Sequence, residues 1–131
     1  MILKKTVSTL FGLAFVAFIV VQYNDPDPML WMIIYGIAAL ISFAAAFNKT
    51  PHMLLWVTAA IFILGGIYMW PDRFEGVSIG GGQIKNIEEA RESLGLFLCA
   101  VAFCSYPLLD KFAMRRTVRL QQLQKARWAN L

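Results

Sequence analysis

The chain contains four separate apolar runs of 17 to 19 residues, and none of them has a charged residue inside. A helix needs about 17–25 such residues to cross a hydrocarbon core of about 30 Å. Overall, 59% of the 131 residues are hydrophobic and 15% are charged, whereas soluble domains average about 45–50% and about 25%. The sequence therefore predicts an all-α, polytopic membrane protein with four transmembrane helices in an up-down bundle, over residues 6–23, 29–47, 53–70 and 93–109.

The basic residues predict how these helices are oriented. Because successive spans alternate in direction, Lys4, Lys5, Lys49 and the basic tail all fall on one side of the membrane. An excess of Lys and Arg marks the cytoplasmic side, so both termini are predicted to be cytoplasmic. In a bacterium this would be the cytoplasmic (inner) membrane, because outer membranes hold β-barrels. The first run could also be read as a signal peptide, but its exit at residues 20–23 lacks the small residues of a cleavage site.

The residues between the runs predict where helices begin. Asp27-Pro28 and Thr50-Pro51 each combine an N-cap residue with a proline that suits the first helical position. Small residues such as Gly36 and Gly66 occur throughout the runs and allow helices to approach closely in lipid.

The chain divides into a transmembrane domain, residues 1–109, and a basic amphipathic tail, residues 110–131. The tail favours a helix, but its apolar residues do not form one clean stripe. It could lie on the cytoplasmic leaflet, dock on a partner protein, or simply continue the fourth helix into solvent. The tail residues predicted to contact lipid or a partner are Lys111, Arg115, Arg116 and Arg119.

Two polar clusters lie on the outer side of the predicted membrane. The first is formed by Gln22, Asn24, Asp25 and Asp27, in a short loop between two spans. The second contains Glu88, Arg91 and Glu92, which share one helix face because they are spaced i, i+3 and i+4.

These clusters allow three interpretations. They could be a structural clasp between the two outer links, with Asp27 as a helix cap. They could bind a lipid head group or a divalent cation, with Asp25, Asp27 and Glu92 as the metal ligands, because hard cations prefer carboxylate oxygens. They could also perform acid–base chemistry if partly buried.

Other residue types point to no reaction. His52 is the single histidine, which alone cannot make a zinc or haem site. Cys99 and Cys104 point about 140° apart on a helix, so they cannot pair with each other. No ionisable residue lies inside a span, which disfavours a transporter. The chain has no nucleic-acid motif, and its net charge of +4 is explained by membrane orientation.

Two segments carry a resemblance to a known family. The two segments are Gln22-Tyr23-Asn24-Asp25-Pro26-Asp27 with Trp31 and Tyr35, and Glu88-Glu89-Ala90-Arg91-Glu92-Ser93-Leu94-Gly95. They resemble the signature of the transmembrane protein 220 family in sequence and in their spacing, over most of the chain up to about Leu109. The resemblance implies a small multi-span membrane protein and assigns it no activity, substrate or cofactor. The vertebrate members continue with apolar sequence where this chain has its basic tail.

The sequence thus predicts a non-enzymatic membrane protein without a cofactor, which serves as an accessory or assembly subunit of a membrane complex. Its expected partners are the lipid bilayer and another membrane protein or a second copy of the chain, and no nucleic acid. The alternative is a protein that binds a divalent cation or a lipid head group at the outer acidic cluster, with or without catalysis.

Overall fold

The structure is a computed structural model that describes residues 2–24 and 27–131. It contains four α-helices: α1 (Ile2–Val21), α2 (Pro28–Ala46), α3 (His52–Tyr68) and α4 (Ile84–Ala129), with a 3-10 turn at Gln22–Asn24 after α1. Within the described residues there is no β-strand. The predicted all-α class and the four apolar helices are therefore confirmed.

The first three helices match the predicted spans to within a few residues at each end, whereas α4 extends well beyond its predicted span at both ends. α1, α2 and the apolar part of α4 are long and apolar enough to cross a membrane, and α3 is a shorter apolar helix of 17 residues. α1 begins at Ile2 rather than at Thr6, and α4 begins at Ile84 rather than at Ser93. The difference arises because backbone hydrogen bonding continues past the edge of an apolar run, which hydropathy alone does not reveal.

The helices pack as two antiparallel pairs, α1 with α2 and α3 with α4. Within the described part of the chain, helix α4 also contacts α1 and α2, whereas α3 does not, so α4 lies centrally in the bundle. Among the described residues, no Cα atom of α2 comes within 8 Å of one in α3. The consecutive helices α2 and α3 are thus separated in space, whereas α1 with α2 and α3 with α4 are direct neighbours.

In each helix pair, a glycine of one helix packs against a phenylalanine ring of the other. Gly12 of α1 lies against Phe43 of α2, and Gly66 of α3 lies against Phe97 of α4. The Ser93 hydroxyl also donates a hydrogen bond of 2.6 Å to the Gly66 carbonyl. Small residues therefore bring the helices close together, as expected for packing in lipid.

The core contains aromatic residues from α1, α3 and α4. Phe15, Phe103 and Tyr106 are fully buried, and the rings of Phe62 and Phe103 meet edge to face with centroids 5.2 Å apart. The Tyr106 hydroxyl shares a hydrogen bond of 2.7 Å with Ser42, which joins α4 to α2.

The bundle has two distinct ends. At one end, which we call the tail end, Lys4, Asn48, His52 and Asp110 meet and α4 continues outward. At the other end, the loop end, lie the 3-10 turn and the link of residues 69–83. The Glu75 carboxylate accepts hydrogen bonds from the Gln83 backbone N–H (3.3 Å) and the Asn86 side chain (2.7 Å), so it secures the start of α4.

The helix-start predictions are only partly correct. Pro28 does occupy the first turn of α2, but the Asp27 side chain makes no capping hydrogen bond. Thr50 was predicted to cap α3, and this is wrong, because Pro51 occupies the N-cap position and the buried Thr50 hydroxyl has no hydrogen-bond partner among the described residues. The backbone at Pro51 is extended, so α3 begins at His52, one residue later than the Thr-Pro pattern predicts.

The C-terminus of α2 has a cap that the sequence analysis missed. Asn48 has a φ of 57°, a left-handed conformation that asparagine tolerates. Its N–H bonds to the Ala45 carbonyl at 3.1 Å, and the Lys49 N–H bonds to the Ala44 carbonyl at 2.9 Å. This pattern is a Schellman motif, which reverses the chain after α2.

Candidate functional site

A cavity of about 490 Å³ opens at the loop end of the bundle. Its volume lies within the range of about 300–1,000 Å³ that is typical of small-molecule sites. Trp31 and Tyr35, which are 3% and 5% exposed, form part of its wall. The exposed side chains of Ile79 and Ile84 lie at its rim.

Residues from both predicted polar clusters line this cavity. Gln22 comes from the turn after α1, and Glu88, Arg91 and Glu92 come from the first turns of α4. Asn24 belongs to the 3-10 turn, and Asp27 precedes α2 but does not line the cavity. Asp25 lies outside the described residues, as does the side chain of Asn24. The structure thus brings the second cluster together with Gln22 from the first.

The cavity also explains why Gly95 belongs to the second segment. The Tyr35 hydroxyl of α2 lies against the Cα of Gly95 in α4, in the space that a Cβ atom would occupy. Any larger residue at position 95 would displace Tyr35 and so change the cavity wall. Tyr35 and Gly95, one from each segment that carries the family resemblance, are therefore neighbours in space, although 60 positions separate them in the sequence.

Two charged groups of the cavity, Arg91 and Glu88, differ in how many partners they have among the described residues. The Arg91 Nε donates a hydrogen bond of 2.7 Å to the Val77 carbonyl, which anchors the guanidinium to the loop-end link. This is the only hydrogen bond that Arg91 makes within residues 2–24 and 27–131. Over the same residues, the half-buried Glu88 carboxylate makes no hydrogen bond and no ion pair. The cavity thus holds a guanidinium and a carboxylate with capacity for further partners.

A family model covers the part of the chain that contains this cavity. The family model described as "Transmembrane family 220, helix" matches residues 14–107. This chain belongs to Transmembrane family 220. The resemblance seen in the sequence is thereby confirmed. The match covers every described residue that lines the cavity. No curated protein and no solved structure matches the chain.

The tail end has a polar cluster that the sequence analysis did not predict. The Lys4 ammonium donates hydrogen bonds to Asp110 at 2.8 Å and to Asn48 at 3.1 Å, and its side chain is only 3% exposed. The His52 Nε2 lies 2.9 Å from the same Asp110 oxygen. We call these four residues the tail-end cluster. Lys4 and Asp110 lie outside the residues that match Transmembrane family 220, whereas Asn48 and His52 lie within them.

The pKa of Asp110 reflects this environment. Partial burial raises the pKa of the Asp110 carboxyl, but hydrogen bonds from Lys4 and His52 and their positive charges outweigh this effect. The net result is a pKa below the ordinary value of 3.8. Asp110 is therefore ionised at neutral pH and forms an ion pair with Lys4.

One sequence signal could have indicated the tail-end cluster. Asp110 is the only acidic residue on the side to which span alternation assigns nine basic residues. A lone carboxylate at the end of an apolar run is a natural partner for one of them. The sequence alone could not show which one, because Lys4 and Asp110 are 106 residues apart.

The described residues contain no group of three or more His, Cys, Asp or Glu side chains that could hold a metal ion. Arg91 also places a positive charge beside Glu88 and Glu92, which opposes a cation at this end of α4.

Proposed function

We propose that this member of Transmembrane family 220 is a non-enzymatic accessory or assembly subunit that binds another membrane protein through the extension of α4. The role requires no cofactor, because holding a partner in place involves no chemical step. The supporting observation is that α4 continues without a break to Ala129, well beyond the bundle.

The extension is exposed along its whole length. From Lys111 to Ala129 it spans about 28 Å at roughly 1.5 Å per residue. Every side chain from Met114 onward is exposed, including Leu120, Leu123 and Trp128. In proteins most helical stability comes from tertiary packing, and from Met114 onward the exposed side chains make little of it within the described residues. A partner that covers these apolar side chains would therefore stabilise it.

The charge of the extension specifies the partner's surface. Residues 111–131 contain six basic residues and no acidic one. A complementary surface would be acidic with apolar positions between the charges. The same charge disfavours pairing between two copies of the extension. Because the extension is continuous with the span, a protein surface beside it suits this geometry better than a leaflet lying across its base.

In this proposal both termini are cytoplasmic, since the tail end carries the basic residues. A cysteine introduced by Asn130→Cys should react with a membrane-impermeant maleimide only after cells are opened. The matched control Ser78→Cys, in the loop-end link, should react in intact cells. The reverse pattern of labelling would contradict the orientation.

The accessory role is tested by gentle extraction of the tagged chain from its native membrane, followed by native mass spectrometry. A stoichiometric partner protein is expected. Arg115→Gln with Arg119→Gln should weaken binding of the partner about twofold to thirtyfold, since each exposed ion pair contributes about 0.2–1 kcal/mol. The control Arg73→Gln with Lys85→Gln removes two exposed charges from the loop end and should leave the partner bound.

Two results would contradict the accessory role. One is a chain that behaves as a lone monomer and forms no crosslink to another protein in its native membrane. The other is a partner whose amount falls equally in the tail variant and in the loop-end control.

A further inference from the structure

We propose that the loop-end cavity binds a phosphoethanolamine group, with a phospholipid of the surrounding leaflet as its source. Arg91 binds the phosphate and Glu88 binds the primary ammonium. This binding site does not depend on the accessory role of the α4 extension, which lies at the opposite end of the bundle.

The charges of the cavity select the ligand class. Glu88, Glu92 and Arg91 give its lining a formal charge of −1. An anionic ligand would meet two carboxylates, and a simple cation would meet the guanidinium. A zwitterion with a phosphate and an amine satisfies both signs of charge.

The hydrogen-bond capacity points to the same class. A guanidinium has five N–H donors, and the bond from Nε to the Val77 carbonyl uses one of them. The remaining donors form a planar fork that matches two phosphate oxygens. The Glu88 carboxylate, which has no partner among the described residues, can accept hydrogen bonds from a primary ammonium.

The position of the cavity favours a lipid source. Gln22 directly follows α1, and Glu92 directly precedes the apolar run of α4. The cavity therefore lies at the boundary between apolar and polar parts of the bundle, where phospholipid head groups are found. Its aliphatic rim, which includes Ile79 and Ile84, is suited to the glycerol and first methylenes of such a lipid.

The test is native mass spectrometry of the purified, delipidated full chain with three dioleoyl lipids added separately. These are phosphatidylethanolamine, phosphatidylcholine and phosphatidylglycerol. The first should bind most tightly, because choline has no N–H to donate and glycerol has no amine. Glu88→Gln should reduce phosphatidylethanolamine binding about tenfold, the effect of losing one charge-assisted hydrogen bond. The matched control Glu89→Gln changes the neighbouring carboxylate outside the cavity and should leave this binding unchanged.

A second variant separates the two halves of the site. Arg91→Gln should weaken binding of phosphatidylethanolamine and phosphatidylcholine alike, since both carry the phosphate, whereas Arg73→Gln should affect neither. Thermal unfolding of each variant in detergent establishes that it is folded. Glycerophosphoethanolamine, added alone, identifies the source: equal binding of this soluble compound would assign the site to a free phosphoethanolamine compound, and failure to bind would assign it to the lipid.

Three results would overturn the proposal. The first is equal binding of the three lipids by the unaltered chain. The second is an equal loss of binding in Glu88→Gln and Glu89→Gln. The third is a Ca²⁺-dependent rise in the melting temperature that Glu88→Gln abolishes while lipid binding is unchanged.

Discussion

At the scale of single residues, Asp110 is the central group of the tail-end cluster. It accepts hydrogen bonds from Lys4 of α1 and His52 of α3, while Lys4 also reaches Asn48 after α2. One carboxylate thus connects all four helices directly or through Lys4. Because Lys4 is almost fully buried, removal of the Asp110 charge leaves a buried ammonium with only neutral acceptors, such as Asn48, within the described residues.

We expect Asp110→Asn to lower the free energy of unfolding by about 1–3 kcal/mol at neutral pH. The measurement is denaturation of the detergent-solubilised chain followed by circular dichroism. Asp72→Asn, which alters an exposed carboxylate of the loop-end link, should have little effect.

The same variant gives a pH prediction with a definite sign. Since the folded pKa of Asp110 lies below the unfolded value of 3.8, its contribution is fully present above about pH 4 and is lost as the pH falls through the folded pKa. The difference in stability between the unaltered chain and Asp110→Asn should therefore shrink as the pH falls below about 4. A difference that grew as the pH fell below about 4 would contradict this assignment.

At the scale of elements, close approach between helices depends on particular glycines. A Cβ atom at Gly66 would come within 2.6 Å of the Phe97 ring, whereas one at Gly36 would meet its nearest neighbour, the Ile19 Cδ1, at an ordinary 3.9 Å. Both glycines are inside apolar helices, and the sequence does not distinguish them. Their different surroundings follow from which helix face packs against the partner.

Gly66→Ala should destabilise the protein by about 1–3 kcal/mol, because the added methyl overpacks the α3–α4 contact. Gly36→Ala should be neutral or stabilise it by up to about 1 kcal/mol, since alanine has the higher helix propensity. Melting temperatures in one detergent compare the two variants. Equal effects would show that helix propensity, and not close packing, dominates at Gly66.

At the scale of the whole molecule, the α1–α2 pair and the α3–α4 pair are joined through α4. The hydrogen bond between Ser42 and Tyr106 is buried in this junction. In a membrane the hydrophobic effect supplies little attraction between helices, so close packing and such hydrogen bonds hold the two pairs together.

Tyr106→Phe removes this hydrogen bond without altering the ring that packs on Phe103. We expect a loss of about 0.6 kcal/mol in stability, the average found for hydrogen bonds between membrane helices, for which the largest value is about 1.7 kcal/mol. Tyr68→Phe is the matched control, because the Tyr68 side chain is 86% exposed. A tighter junction without the hydroxyl, seen as a higher melting temperature, would contradict the expected role of this bond.

The sequence by itself determined the helices and the end of the bundle at which Gln22 and Glu88 lie. An apolar run of this length in lipid must satisfy its backbone hydrogen bonds internally, and a helix does so without any partner. Alternation of four spans then places Gln22 and Glu88 at the same end of the bundle. The family resemblance was likewise readable from short segments, because the residues that carry it flank the spans.

The tertiary structure alone decided which helices are neighbours and which polar groups meet. The apolar runs are hydrophobic on all sides, so no face is marked for the interior. The packing of α4 between the other helices, the cavity wall formed by Tyr35 against Gly95, and the pairing of Lys4 with Asp110 all join residues that are far apart in sequence. Such contacts depend on how the helices fit together, since in lipid close packing, and not apolar burial, selects the partner of each helix.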